Sequence, residues 1–349
     1  MNRIYVAGVG EKAGKTVVIA GLAQALREQG LRVAYRKPVG LARAYRHGRP
    51  CDPDGEAMAQ VLDLPSGEEL VAVLAGEAPR AWRPPAEAWP RIAACAQVEA
   101  DLLLLEGREW LGRGLLSGLS DVAVAQRLAA PVLLVAKYGG EPSVDAVLAA
   151  AQLLGGGVRL LGVVLNAVSP EAELSEVQAY AAPFLEERGI PVLGTLAFER
   201  RLQAVRVLEV LEAVGAEVVV EGDLQAEVDR FLVGAMGAEA ALQHLRRIPG
   251  QLAVITAGDR TDIQAVALAF PRVRALILSG GIRPERALLA EAQERGKTLA
   301  VAPQDTFTVA ETADRLLGRS FLPDPRRLAL LRDLVREGLN LERLRELLR

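Results

Sequence analysis

A glycine-rich stretch near the amino terminus has the residue types needed to bind phosphate. Residues 8–16 read GVGEKAGKT. The backbone N–H groups of such a loop, together with the positive end of a following helix dipole, can hold phosphate oxygens. Lys15 would reach the outer phosphates of a nucleotide, and the Thr16 hydroxyl would ligate Mg²⁺. We therefore predict a phosphate-binding loop (P-loop) formed by Gly10, Glu11, Lys12, Ala13, Gly14, Lys15, Thr16 and Val17.

The spacing of the two glycines is unusual. The common pattern, G-x-x-x-x-G-K-[ST], would place the first glycine at position 9, which is Val9. Gly8 comes one residue earlier. A chance Gly-Lys-Thr is the alternative, but a buried strand leads into this stretch and a helix leads out of it, as a P-loop requires.

Two acidic residues could complete a magnesium site. Glu106 ends the apolar run DLLLLEG, and ligands bind at the carboxyl ends of strands in open parallel sheets. Asp54 lies in CDPDGEAM. The sequence leaves two roles open for Asp54, metal ligation and capping of a helix amino terminus. We predict Thr16, Asp54 and Glu106 as metal ligands, and Lys15 and Glu106 as the catalytic pair.

The elements around these residues indicate an α/β fold. Continuous apolar segments alternate with helical ones, which is typical of parallel strands buried on both faces and joined by helices. The predicted strands of the first half are RIYVAGV, LRVAYRKPV, DLLLLEG, APVLLVAKY, VRLLGVVLNAV and IPVLGTLAF. This pattern predicts a parallel-sheet P-loop NTPase domain.

The pattern changes after about Phe198. Shorter strand-like runs alternate with helices and predict a second, smaller α/β domain, and the chain ends in two amphipathic helices. We place the domains at 1–205 and 206–320, with a helical tail at 321–349. Leucines at helical spacing in the tail imply burial, either against the body of the protein or against another subunit.

The first domain resembles dethiobiotin synthetase. The resemblance rests on an ordered set: GxxxxxGKT with five residues between its glycines, YRKPVG, an Asp at a helix start, LLEG and GVVLNAV. It covers about residues 1–200 and implies ATP and Mg²⁺ as cofactors. By position it implies a nucleotide-site role for Lys37, Mg²⁺ ligation by Asp54, a Walker B role for Glu106 and adenine recognition by Asn166.

The substrate side of that family is altered in this chain. Gly10, Glu11 and Lys12 stand where the synthetase loop has Asp, Thr and Glu, and the glycine-rich segment after Glu106 reads EGREWLGRG. A carboxylate at position 11 would repel an anionic substrate. The nucleotide half of the pattern is retained and the substrate half is not.

The second domain resembles the DRTGG domain, on the segments VITAGDRTDIQ and LILSGG. Residues of these two segments could bind an anionic ligand. Alternatively, Asp259 caps a helix and Arg260 pairs with Asp259 or with Asp262, and both only stabilise the fold. The two domains together resemble the amino-terminal part of long bacterial phosphate acetyltransferases, without the acetyltransferase domain. The possible ligand-site residues are Asp259, Arg260, Thr261, Gly280 and Gly281.

Composition excludes several classes of protein. The net charge is −3 with no block of like charge, so we expect no nucleic-acid partner. No apolar run approaches the roughly 18 residues of a membrane span, so we expect no membrane partner. Cys51 and Cys95 are not spaced as a zinc site. We expect a cytoplasmic protein that forms a homo-oligomer.

These observations leave three functions open. The first is an ATP-Mg²⁺-binding protein, a slow ATPase or nucleotide sensor, with a regulatory DRTGG domain that takes a small-molecule effector. No general base is evident in the motifs, which favours slow turnover. The second is an ATP-dependent ligase of the synthetase type with a different substrate. The third is a non-catalytic interaction module.

Overall fold

The computed structural model describes residues 2–41, 44–46, 49–64, 67–75, 87–169, 173–317 and 324–349. The chain divides into two compact units. Unit 1 comprises Met1–Glu199 and Leu322–Arg349, and unit 2 comprises Arg200–Phe321.

Unit 1 contains nine strands and seven helices before the tail, within the described ranges. Its strands are β1 (Asn2–Gly8), β2 (Val33–Leu41), β3 (Ala44–Arg46), β4 (Arg49–Cys51), β5 (Val71–Ala75), β6 (Leu102–Glu106), β7 (Val132–Lys137), β8 (Leu160–Val168) and β9 (Val192–Ala197). Its helices are α1 (Lys15–Glu28), α2 (Pro53–Val61), α3 (Ala88–Cys95), α4 (Asp121–Arg127), α5 (Glu141–Leu154), α6 (Glu173–Glu176) and α7 (Ala182–Glu187).

Seven of these strands form one parallel sheet in the order β5-β2-β6-β1-β7-β8-β9. This confirms the predicted parallel sheet, although β5 was not among the predicted strands. The central strand β1 lies between β6 and β7, and its Val6 pairs with Glu106 of β6. The end of β1, which leads into the P-loop, and the end of β6 therefore meet at one edge of the sheet.

Unit 2 is a smaller α/β unit, as predicted. Its strands are β10 (Val205–Arg206), β11 (Glu217–Val220), β12 (Glu227–Val228), β13 (Arg230–Val233), β14 (Leu252–Ala257), β15 (Val273–Ser279) and β16 (Thr298–Val301). Its helices are α8 (Val207–Ala213), α9 (Ala238–Arg247), α10 (Thr261–Ala269), α11 (Arg286–Glu294) and α12 (Thr306–Leu316).

The main sheet of unit 2 has the order β11-β16-β15-β14-β13, with β11 antiparallel to β16 and the other pairs parallel. Apolar residues alternate between its two faces. Val254 and Leu276 belong to one core, and Ile255 and Ile277 belong to the other. Burial on both faces explains why these strands read as continuous apolar runs.

The tail forms α13 (Pro325–Gly338) and α14 (Leu341–Leu348), and both helices pack within unit 1. Leu331 and Val335 of α13 are buried, and α13 approaches α1 so closely at Gly21 that a Cβ there would lie 2.8 Å from the Leu331 carbonyl oxygen. The Asn340 N–H donates to the Leu193 carbonyl at 2.8 Å. Several of the tail leucines are therefore buried against the body of the protein, which is one of the two possibilities that the sequence left open.

Candidate nucleotide-binding site

The P-loop leaves β1 at Gly8 and enters α1 at Lys15. Gly14 stands at the N-cap with φ 89°, a left-handed conformation that favours glycine. Its side-chain hydrogen also leaves room for a neighbour, since a Cβ at Gly14 would lie 2.1 Å from Asn166 Nδ2. Gly14 has no side chain with which to cap α1, so it leaves the first N–H groups of this helix available to an anion.

Lys15 folds back over the loop towards Gly8. A Cβ on Gly8 would lie 3.1 Å from Lys15 Nζ and 2.8 Å from the Glu109 carbonyl oxygen. A larger residue at position 8 would therefore displace the lysine or the segment after Glu106. The limited space around position 8 therefore explains why this longer loop has a glycine there.

Glu106 lies directly beside the first turn of α1. The Thr16 hydroxyl donates to Glu106 Oε1 at 2.7 Å, and the Tyr35 hydroxyl donates to Oε2 at 2.5 Å. Burial raises the pKa of Glu106 and Asp54 adds to the rise, while Lys37, Lys15 and the Tyr35 hydrogen bond oppose it. The structure therefore brings together the threonine and the glutamate that the sequence assigned to one metal ion.

Lys37 and Asp54 lie in the same cluster, with an acid that the sequence analysis missed. Lys37 Nζ lies 2.9 Å from Asp52 Oδ1 and 2.5 Å from Asp54 Oδ2. Burial alone would lower the pKa of Lys37, but Asp54, Glu106 and Asp52 outweigh it and raise this pKa. The ammonium therefore stays charged.

The capping alternative for Asp54 is wrong, because Asp52 is the N-cap of α2. Its side chain accepts from the N–H groups of Asp54 and Gly55, both at 3.0 Å. An Asp followed by Pro at the first helical position is a known helix-start signal, and it could have identified Asp52. Asp54 is the second residue of α2, within its first turn, and its side chain is 43% exposed.

The donor set fits Mg²⁺ bound together with a nucleotide. Thr16, Glu106 and Asp54 supply oxygen atoms, which Mg²⁺ prefers, and Mg²⁺ is commonly held by one or two carboxylates plus substrate phosphates. Among the described residues, no group of three or more His, Cys, Asp or Glu could hold a metal ion by itself. Phosphate oxygens would have to complete such a site.

Asn166 lies against the P-loop at the end of β8. Its Nδ2 donates to the Ala13 carbonyl at 2.9 Å. Adenine recognition by Asn166 stays a prediction from the resemblance. The loop residues Glu11 and Lys12 are exposed, and Lys12 has φ 52° while Gly10 has φ 101°.

A second buried acid fixes the segment after Glu106. Asp121 accepts a hydrogen bond from the Tyr5 hydroxyl at 3.0 Å and another from the Arg108 N–H at 2.9 Å. Burial raises the pKa of Asp121, and the contacts with Arg108 and Tyr5 oppose this rise. Gly107 leaves room for this acid, since a Cβ there would lie 2.4 Å from Asp121 Oδ2. No sequence signal pointed to Asp121, because its partners are distant along the chain.

In unit 2 the alternative in which Asp259 caps a helix is wrong. Arg260 occupies the N-cap position of α10 and makes no side-chain cap hydrogen bond. Its guanidinium pairs with Asp262 at 3.0 Å and donates to the Met236 carbonyl at 2.8 Å. Of the pairings considered for Arg260, the structure shows the one with Asp262. Thr261 is the first residue of α10.

Gly280 and Gly281 follow β15 with φ 84° and 68°. Their N–H groups donate to the carbonyls of Gln304 at 2.7 Å and Ala302 at 2.9 Å. These two donors therefore serve the fold of unit 2. A ligand at this edge would have to use other groups, and the ligand site stays a prediction.

A central parallel strand that passes through a glycine-rich loop into a helix, with a threonine–glutamate pair beside it, defines a P-loop NTPase-like domain. The comparison with known families agrees: the model described as AAA domain matches residues 2–206, and the chain belongs to this family. The DRTGG domain model matches residues 209–316.

Known relatives match different shares of this chain. The phosphate acetyltransferase of Deinococcus radiodurans is 27% identical over 97% of this chain and 50% of its own length. An ATP-dependent dethiobiotin synthetase of Pseudomonas aeruginosa (strain LESB58) is 31% identical over 56% of this chain and 89% of its own length. The chain thus spans about half the length of the acetyltransferase relative.

Among solved structures, the cobyrinic acid a,c-diamide synthase of Mycobacterium smegmatis, with bound ADP and magnesium, is similar at 19% identity and a TM-score of 0.34. The similarity covers 57% of this chain and 87% of that one. A TM-score this low supports no inference about function. None of the helices in the described ranges has the length and apolar character that crossing a membrane requires.

Proposed function

We propose that unit 1 binds ATP with Mg²⁺ in the P-loop and acts as a slow ATPase or nucleotide sensor. The observation that carries this proposal is the hydrogen bond of 2.7 Å between Thr16 and Glu106, beside the uncapped amino terminus of α1. A magnesium nucleotide needs a hydroxyl and an acid at this place and free N–H groups next to them.

Each residue has a defined task in this proposal. Lys15 and the first N–H groups of α1 hold the phosphates, and Thr16, Glu106 and Asp54 supply the oxygen ligands of the metal. Bound Mg²⁺ would neutralise negative charge that develops on the transferred phosphoryl group. Asn166 anchors the loop through Ala13 and, by resemblance to the synthetases, contacts adenine.

We further propose that unit 2 is regulatory and takes a small-molecule effector, and that the protein works in metabolism of the phosphate acetyltransferase type. The match of the DRTGG domain model and the similarity to an acetyltransferase over 97% of the chain support this. A homo-oligomer remains a prediction that light scattering of the purified chain would test.

Calorimetric titration with ATP-Mg²⁺ tests the nucleotide proposal. We expect saturable binding by the wild type and loss of at least about tenfold in affinity for Lys15→Ala, since a direct charged phosphate contact contributes more than about 1.4 kcal/mol. The control is Arg188→Ala, which removes an exposed cation just before β9, at the opposite, amino-terminal edge of the sheet, and should leave binding unchanged. Absence of wild-type binding at millimolar ATP would contradict the proposal.

A second candidate is an ATP-dependent ligase, favoured by the 31% identity over most of a dethiobiotin synthetase. Its substrate would differ from that of the synthetase, because the segment after Glu106 is altered in sequence. Arg108 holds this segment by donating to the carbonyls of Arg113 and Leu119. ATP turnover should then stay low until a particular amine or carboxylic acid is added. A flat rate across a broad metabolite set would leave the sensor proposal in place.

A further inference from the structure

Lys37 is a fixed internal cation in the proposed metal site. Its side chain is 4% exposed, and its ammonium lies between two carboxylates, 2.9 Å from Asp52 and 2.5 Å from Asp54. Because a buried ammonium is stable only when paired, this lysine has to keep at least one of the two acids.

The two acids differ in how firmly they are held. Asp52 is 1% exposed and accepts from the N–H groups of Leu41 at 2.7 Å and of Asp54 and Gly55 at 3.0 Å. Its carboxylate cannot turn away without breaking these bonds. Asp54 stands in the first turn of α2 with its carboxylate 43% exposed. Asp54 is therefore the acid of the two that an incoming metal can reach from solvent.

A divalent cation and the ammonium compete for the same oxygens. Thr16, in the first turn of α1, offers a metal a hydroxyl, and the neighbouring Glu106, at the end of β6, offers one carboxylate, so a second acid would come from Asp54. A divalent cation and an ammonium that share one carboxylate repel each other, because both are positive and lie within a few ångströms of one another. The negative phosphates of a nucleotide would offset this repulsion.

We propose that Lys37 keeps free Mg²⁺ out of the site by occupying Asp54, and that Asp54 is released to the metal only when it arrives with nucleotide, while Asp52 retains the lysine. This inference rests on the proposed nucleotide function. It gives the site a selectivity for the metal–nucleotide complex over either component alone. Asp52 then acts as a positioning residue for Lys37.

Electron paramagnetic resonance of Mn²⁺ in the absence of nucleotide tests this directly, since it reports metal binding without turnover. We expect weak Mn²⁺ binding by the wild type and at least about tenfold tighter binding by Lys37→Met, because the competing charge is gone. Lys37→Arg is the matched control, since it keeps the charge and should keep Mn²⁺ binding weak.

A second variant keeps the test conclusive if Lys37→Met does not fold. Lys37→Met leaves Asp52 buried without its cation, which is destabilising. The double variant Lys37→Met with Asp52→Asn removes both charges of the buried pair and leaves Asp54 and Glu106 for the metal. It should also bind Mn²⁺ at least about tenfold more tightly than the wild type.

The outcomes separate this inference from the nucleotide proposal. If the wild type binds ATP-Mg²⁺ but neither Lys37→Met nor the double variant binds Mn²⁺ more tightly than the wild type, Lys37 does not exclude free metal and the inference is wrong. Tight Mn²⁺ binding by the nucleotide-free wild type would also overturn it. If the wild type binds no ATP in calorimetry, the nucleotide proposal itself fails.

Discussion

The close packing of the tail on α1 makes a clear prediction for Gly21→Ala. In an exposed helix this change would stabilise the protein by about 1 kcal/mol, because alanine has a higher helix propensity than glycine. Here the new Cβ would lie 2.5 Å from Val335 Cγ2 and 2.8 Å from the Leu331 carbonyl oxygen, where ordinary contacts begin at 3.4 Å. The carbonyl belongs to the backbone of α13, so relief requires a shift of that helix.

The magnitude follows from these two opposing effects. Overpacking a tight contact costs about 1–3 kcal/mol. Subtracting the propensity gain of about 1 kcal/mol leaves a net loss of about 0–2 kcal/mol in the free energy of unfolding. Helix α1 begins at Lys15, so a shift of α13 would act on the helix that carries the P-loop.

Urea unfolding of the full chain, with amide exchange followed in α13, measures this effect. Gly156→Ala is the control, because a Cβ at Gly156 meets no atom within 4 Å. A double-mutant cycle with Val335→Ala adds a second check, since removing the crowded methyl should recover part of the loss. Stabilisation of Gly21→Ala by about 1 kcal/mol would refute the packing argument.

Three further predictions concern the site and unit 2. Gly14→Ala should abolish ATP binding in calorimetry, because it combines φ 89° with a Cβ 2.1 Å from Asn166 Nδ2. Tyr35→Phe removes a hydrogen bond that lowers the pKa of Glu106, so on acidification the loss of Mn²⁺ affinity measured with ATP should begin at a higher pH than in the wild type. Burial, with Arg295 and Arg274, lowers the pKa of Lys297 from 10.5 to about 8. Between about pH 8 and 10.5, Lys297 is protonated in the unfolded chain and neutral in the folded chain. The free energy of unfolding of the wild type, relative to that of Lys297→Met, should therefore rise with pH across this interval. A difference in urea unfolding that does not change with pH would contradict this.

The sequence was sufficient for the local features of this protein. The P-loop residues are consecutive, and the strands of the sheet are buried on both faces, so each reads as an unbroken apolar run. A parallel sheet then brings the ends of β1 and β6 to one edge, which places Thr16 beside Glu106 without further information. Of the seven strands of this sheet, the edge strand β5 was not predicted; it is not buried along its whole length, since Leu74 is 37% exposed.

Tertiary structure decided which acid does what and where the tail goes. Asp52 and Asp54 are two residues apart and chemically identical, and the fold alone makes them different, because it buries Asp52 among N–H donors and leaves Asp54 partly exposed. Amphipathic leucines show that a helix needs a covered face, but the same pattern suits any apolar partner. The close approach at Gly21 identifies α1 as the surface that α13 covers, because contact depends on shapes brought together from distant parts of the chain.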